Sequence, residues 1–122
     1  MKRKLPKNVI VFIDEVYGIE YMIIITPVHS KFRRIMKEYL NITIEKDEVD
    51  CGGQFHGLHQ KKKGDLSVIW CRNKKATLVH ELLHATSWAM RNRDLTLDSE
   101  SSEEAWCYYI AYLYRTIKDK LK

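Results

Sequence analysis

The sequence predicts one α+β domain over residues 1–122: a small, twisted, mostly antiparallel sheet with a backing helix, followed by two longer helices. Three observations carry this. The first half alternates short β-branched runs with turn-forming clusters, around a single amphipathic stretch. After Asn73 the apolar spacing changes to that of a helix and stays there. A length of 122 residues suits one hydrophobic core.

The elements follow in order. Val9 to Ile13 and residues 20–26 are β-branched runs around Asp14-Glu15-Val16-Tyr17-Gly18, which reads as two strands joined by a turn. From Ser30, the expected N-cap, Phe32, Ile35, Met36, Tyr39 and Leu40 fall on one helical face. Three short strands are expected next, at 42–45, 54–58 and 66–71, separated by turns at 50–53 and 61–65. Ala76, Leu78, Val79, Leu82, Leu83, Ala85 and Met90 then occupy most of a helix surface, so a helix at about 74–91 is expected to be central and buried on several sides. Residues 94–102 read as a polar loop. A last helix at about 102–120 places Trp106, Tyr109, Ile110, Leu113 and Ile117 on one stripe, and its aromatic residues are expected to serve helix packing rather than base stacking.

Composition excludes more than it names. Hydrophobic residues make up 45% and charged residues 30%, with five Gly and two Pro, unlike disordered or collagenous chains. Twenty-one Lys and Arg against 16 Asp and Glu give +5, an excess that permits an anionic partner without requiring one. Cys51, Cys71 and Cys107 are odd in number and widely spaced, which predicts reduced thiols. The apolar runs Val9 to Ile13 and Met22 to Ile25 are far shorter than the roughly 20 residues of a membrane helix. A cytoplasmic protein with no membrane partner is therefore expected.

His80-Glu81-Leu82-Leu83-His84 lies within the central helix. Residues i and i+4 share a helix face, so both imidazoles can point at one metal ion while Glu81 reaches a water on it. Five His and nine Glu in this chain would produce the pattern by chance roughly 1 to 2 times in 100. Two histidines and a glutamate are costly in an otherwise apolar helix unless a metal or partner satisfies them. A catalytic zinc site usually has three protein ligands, and Asp94, Asp98, Glu100, Glu103 and Glu104 are the downstream candidates. The acids at 103 and 104 are favoured because their helix can pack back on the central one, with Glu104 slightly preferred. Its competing explanation is a capping box, Ser101-Ser102-Glu103-Glu104, in which Glu104 only reaches back to the Ser101 amide.

Residues 77–85, Thr-Leu-Val-His-Glu-Leu-Leu-His-Ala, followed by Glu103-Glu104-Ala105-Trp106-Cys107-Tyr108, resemble the gluzincin metallopeptidases. More narrowly, the chain is similar to the very small zinc-peptidase-like proteins encoded by bacteriophages and prophages. The resemblance implies a minimal zincin-like fold, zinc bound by His80, His84 and Glu104, Glu81 as general base, close packing of Ala105 on the central helix, and Tyr108 beside the site. It also implies a host-cell cytoplasmic setting and a peptide or protein substrate added as a strand to an edge of the sheet, either 54–58 or 66–71. The developing oxyanion needs a donor, and 18 residues follow Glu104; the candidates are Tyr108, Tyr112 and Arg115, or His56 and His59 upstream.

His56 and His59 fall on opposite faces of a regular strand, so the pair alone makes no second metal site. His29 reads as a loop residue and Lys61-Lys62-Lys63 as a solvated turn. Two alternatives stand beside the peptidase reading: a catalytically weak or inactive zinc-binding interaction module, and, less favoured, a basic nucleic-acid-associated module. An oligomer would be compatible with each.

Overall fold

The computed structural model describes residues 5–45, 52–60, 64–73, 76–97 and 100–121. The elements run β1 (Val9–Ile13), β2 (Glu20–Ile25), α1 (His29–Leu40), β3 (Gly53–Gln60), β4 (Gly64–Cys71), α2 (Ala76–Arg91) and α3 (Glu100–Lys120). The four strands form one sheet in the order β1-β2-β4-β3. β1 pairs antiparallel with β2, and β3 with β4, whereas β2 and β4 are parallel. The sheet is thus mixed but mostly antiparallel, with α1 in the connection between its two hairpins.

The central strands are apolar from Tyr21 in β2 and, apart from Ser67, from Leu66 in β4, because there they are covered on both faces. Tyr21, Ile23 and Ile25 of β2 and Ile69 and Cys71 of β4 join Leu78, Leu82, Ala85 and Ala89 of α2 and Trp106, Tyr109, Leu113 and Ile117 of α3 in one core. Met22, Ile24, Leu66, Val68 and Trp70 point the other way and meet Phe32 and Met36 of α1. The order of layers is therefore α1, sheet, α2 with α3. Strand alternation sorts the side chains between the two cores.

Asp14 fastens the β1–β2 turn to α3. Its carboxylate is buried and accepts bonds from the Val16 and Tyr17 amides at 2.8 and 2.6 Å, the Ile19 amide at 3.0 Å and the Tyr109 hydroxyl at 2.9 Å. The Tyr21 and Tyr109 hydroxyls lie 2.6 Å apart. Burial raises the pKa of both tyrosines well above the usual range, with the neighbouring Asp14 charge adding to it.

Four expectations are corrected. Ser30 is not the N-cap of α1: the helix begins at His29, and Val28 occupies the cap position with no side-chain bond. The Val28 amide instead donates to Thr26 Oγ1 at 3.2 Å, and His29 is buried at the helix start rather than in a loop. Residues 42–45 form no strand. Asn41 ends α1 in the left-handed region, and the Ile42 amide returns to Met36 O at 3.2 Å, a Schellman-type stop. That turn folds Ile44 into the α1 core instead of the sheet. β3 and β4 are longer than expected, each reaching toward the turn between them. The lysine run 61–63, Cys51 and Asp98 lie outside the described residues. Among the described residues, no helix is long and apolar enough to cross a membrane.

Candidate metal and acid–base site

α2 buries Leu78, Leu82, Ala85 and Ala89, and this orientation leaves His80 and His84 exposed on its flank. One turn apart, their Nε2 atoms approach to 3.2 Å with the rings edge-on, centroids 4.9 Å apart. Glu81 points differently. It is only 5% exposed, and its Oε2 lies 3.9 Å from His80 Nε2. Burial raises its pKa, and the two histidines pull it part of the way back.

What buries Glu81 is the start of β3. A Cβ placed on Gly53 would lie 3.1 Å from Glu81 Cγ and 3.2 Å from its Oε2, and 2.5 Å from the Trp70 carbonyl oxygen. Gly57, four residues on and therefore on the same strand face, meets Trp88 in the same way: its Cβ would fall 2.3 Å from the indole ring. The two bare positions let α2 lie directly on the β3 backbone. Cys71, paired with Gly53 across the ladder, is buried beside this contact. Desolvation, with the Glu81 charge second, pushes its thiol up to about 12. These glycines and Cys71 are functional neighbours that motif reasoning missed; the only signal was a Gly every fourth residue within a strand.

Two grooves meet at His84. One, of about 430 Å³, is lined by Gly53, Gln54, Phe55, His56, His80, Glu81 and His84. The other, of about 610 Å³, is lined by Leu83, His84, Ser87, Arg91, Thr96, Leu97 and Trp106. Of the five oxyanion-donor candidates, His56 alone lines either groove, but its ring, with Nε2 3.1 Å from Gln54 Oε1, stacks on Phe32 of α1, centroids 6.0 Å apart, on the sheet face opposite that of Gly53 and Gly57. His59 is bonded to Asp65 at 2.8 Å and stacks near Trp88. The Tyr112 hydroxyl accepts from the Glu15 amide at 3.0 Å, at the β1–β2 turn. Tyr108 is 72% exposed and Arg115 is exposed, and neither lines a groove.

Glu103 and Glu104 are exposed on the first turns of α3. Among the described residues, no group of three or more His, Cys, Asp and Glu gathers as a metal site, so neither acid stands with the histidine pair. Asp94 adopts a positive φ of 56° where α2 ends. Of the two expected peptide-binding strands, β3 is an outer strand of the sheet and β4 is interior. No protein-family model, curated protein or solved structure matches the chain.

Proposed function

We propose that the chain is a zinc-dependent peptidase in which His80 and His84 hold the metal and Glu81 is the general base, with Glu104, which does not stand beside the pair, as the third ligand that the resemblance implies. The observation that carries this reading is a buried carboxylate next to two converging imidazoles. The donor spacing fits the ion: two nitrogens on a tetrahedral zinc at about 2.0–2.1 Å stand about 3.3 Å apart, against 3.2 Å here. One N–H···N bond between neutral rings would explain that distance equally well. It would not explain Glu81, whose burial is costly and whose one side-chain nitrogen neighbour within 4 Å that could carry a positive charge, among the described residues, is His80 Nε2 at 3.9 Å.

When bound, zinc lowers the pKa of a coordinated water and polarises a carbonyl. Glu81, its pKa raised by burial, takes the water's proton on its carboxylate and returns it to the leaving amine. The free edge of β3 aligns an extended peptide by strand addition. Leu83, Leu97 and Trp106 give the second groove an apolar wall for one substrate side chain.

The test is zinc titration with peptide-library hydrolysis. Wild type and Glu81→Gln bind zinc, His84→Ala does not, and Glu81→Gln loses at least about 10²-fold of the hydrolysis. No zinc binding on titration, or undiminished cleavage by Glu81→Gln, refutes the reading. The lack of a third donor beside the pair among the described residues favours a second reading, a zinc-binding interaction module; wild-type chain that binds zinc and cleaves no peptide selects it.

A further inference from the structure

The net charge of +5 is unevenly placed. α1 carries Lys31, Arg33, Arg34 and Lys37 against one acid, Glu38, on the sheet face opposite α2. Phe32 and Met36 turn inward to the sheet, and a helix of about 3.6 residues per turn then sets Ser30, Lys31, Arg34 and Lys37 on the outer side. All four are exposed.

Two grooves flank this crest and share Arg34. One, of about 350 Å³, is lined by Ser30, Arg33, Arg34, Lys37, Thr43 and Ile44. The other, of about 430 Å³, has Lys7 from before β1 and Lys31, Arg34 and Glu38 from α1 in its lining. Among the described residues, none of Lys7, Lys31, Arg33, Arg34 and Lys37 forms an ion pair. Arg33 Nε is buried with no hydrogen-bond partner among them, a demand that native proteins rarely leave unmet. α1 also has no side-chain cap and no acid in its first turn, so the partial positive charge of its N-terminus adds to the field beside Ser30.

Five cations around two adjoining grooves suit a polyanion better than a single ion. Ser30 to Lys37 spans about 10 Å of helix, the rise of about three nucleotides of one strand. A membrane-surface helix exposes apolar side chains, whereas Phe32 and Met36 are fully buried. Unpaired bases need exposed aromatic rings to stack on, and Tyr39, the other aromatic residue of α1, packs against the same core as Phe32. We infer that the outer face of α1 binds the phosphate backbone of double-stranded nucleic acid without reading its sequence, through Arg33, Arg34 and Lys37 in one groove and Lys7 and Lys31 in the other. The histidine pair of α2 lies across the sheet, so the inference is independent of the zinc reading.

Fluorescence anisotropy of a labelled mixed-sequence duplex of about 20 base pairs, titrated with the full chain at about 50 to 200 mM salt, tests it. With each of the five cations on a phosphate, the log–log salt slope is about −4.5 and affinity falls roughly 500-fold over that range. Arg34→Gln with Lys37→Gln should flatten the slope by about 2 and weaken binding by about tenfold or more. Lys118→Gln with Lys120→Gln, the same charge loss at the end of α3, should change it by less than about threefold, and Glu38→Gln should strengthen it by about twofold or more. No binding at about 50 mM salt, or equal losses from the two double variants, overturns the inference, as does binding to phosphatidylserine vesicles but not to the duplex. Glu45, Asp47, Glu48 and Asp50 follow Ile44 in the sequence; duplex binding seen only after these acids are changed to Gln and Asn assigns the grooves to the chain's own acidic run and overturns it too. If Arg34→Gln with Lys37→Gln fails to fold, Glu38→Gln decides, and unchanged affinity there refutes the inference.

Discussion

Gly53→Ala is the substitution that most directly probes how α2 is seated. The new Cβ would lie 2.5 Å from the Trp70 carbonyl oxygen, where ordinary contact begins at 3.4 Å, and 3.1 Å from Glu81 Cγ. The carbonyl belongs to β4 in the middle of the sheet, so it cannot swing aside as a side-chain tip does. The start of β3 must move by most of an ångström. Overpacking of this kind costs about 1–3 kcal/mol, offset by about 0.4–1 kcal/mol from the smaller unfolded-state entropy of Ala. A net loss of about 1–2 kcal/mol remains, which at about 1–3 kcal/mol/M lowers the urea midpoint by roughly 0.5–1 M. Urea denaturation followed by circular dichroism measures this. Zinc titration alongside it should show little change, because neither His80 nor His84 is among the atoms crowded by the new Cβ. Hydrolysis should drop by about 10²-fold, the cost of displacing a catalytic group by about 1 Å. An unchanged or raised midpoint would refute the close approach of α2 to β3, and with it the reason given for the burial of Glu81.

Gly57→Ala should be milder, about 1 kcal/mol, because the half-buried Trp88 ring can swing away; a red shift in tryptophan emission is the readout, and its absence counts against the contact. Tyr109→Phe removes a donor from buried Asp14 and a partner from Tyr21, costing about 1.5–3 kcal/mol; combined with Tyr21→Phe it should be non-additive, and additivity within about 0.5 kcal/mol would dissolve the network. Cys71 predicts alkaline sensitivity. Its folded pKa of about 12 exceeds the ordinary 9.0, so the unfolded chain loses the proton first and stability falls as pH rises from 9 towards 12. At pH 10 the loss is about 1 kcal/mol, and Cys71→Ala, though less stable overall, should have a flatter pH profile; equal slopes would contradict the burial of the thiol. Glu104→Ala should weaken zinc binding where Glu103→Ala does not, and the reverse result would reassign the ligand.

The elements legible in the sequence were those whose signal is local. Apolar runs mark β2 and β4 because both faces of those strands are covered, and the helical spacing after Asn73 marks α2 because one helix must meet both sheet and α3. Residues 42–45 were misread for a physical reason: Ile42 and Ile44 alternate like a strand, but the left-handed Asn41 consumes the Ile42 amide in a helix stop. The histidine pair was legible because i and i+4 on any helix share a face. Tyr108, Tyr112, Arg115, His56 and His59 could not be sorted as oxyanion donors from the sequence, because that choice depends on which face of β3 and which side of α3 approach α2.

Only the pair of imidazoles is guaranteed by the motif. A helix in water would present the same two nitrogens, yet leave the intervening glutamate solvated and ordinarily acidic. Glu81 differs because α2 presses it onto a strand with no side chain at position 53. That strand is also an outer one, and its opposite edge pairs with no other strand among the described residues. In the proposed peptidase the acidity of the base and the alignment of a peptide would both be set by one distance, that between α2 and β3. Any larger residue at 53 must trade the burial of Glu81 against the ladder between β3 and β4, which is why the glycine belongs to the proposed chemistry as much as the carboxylate does.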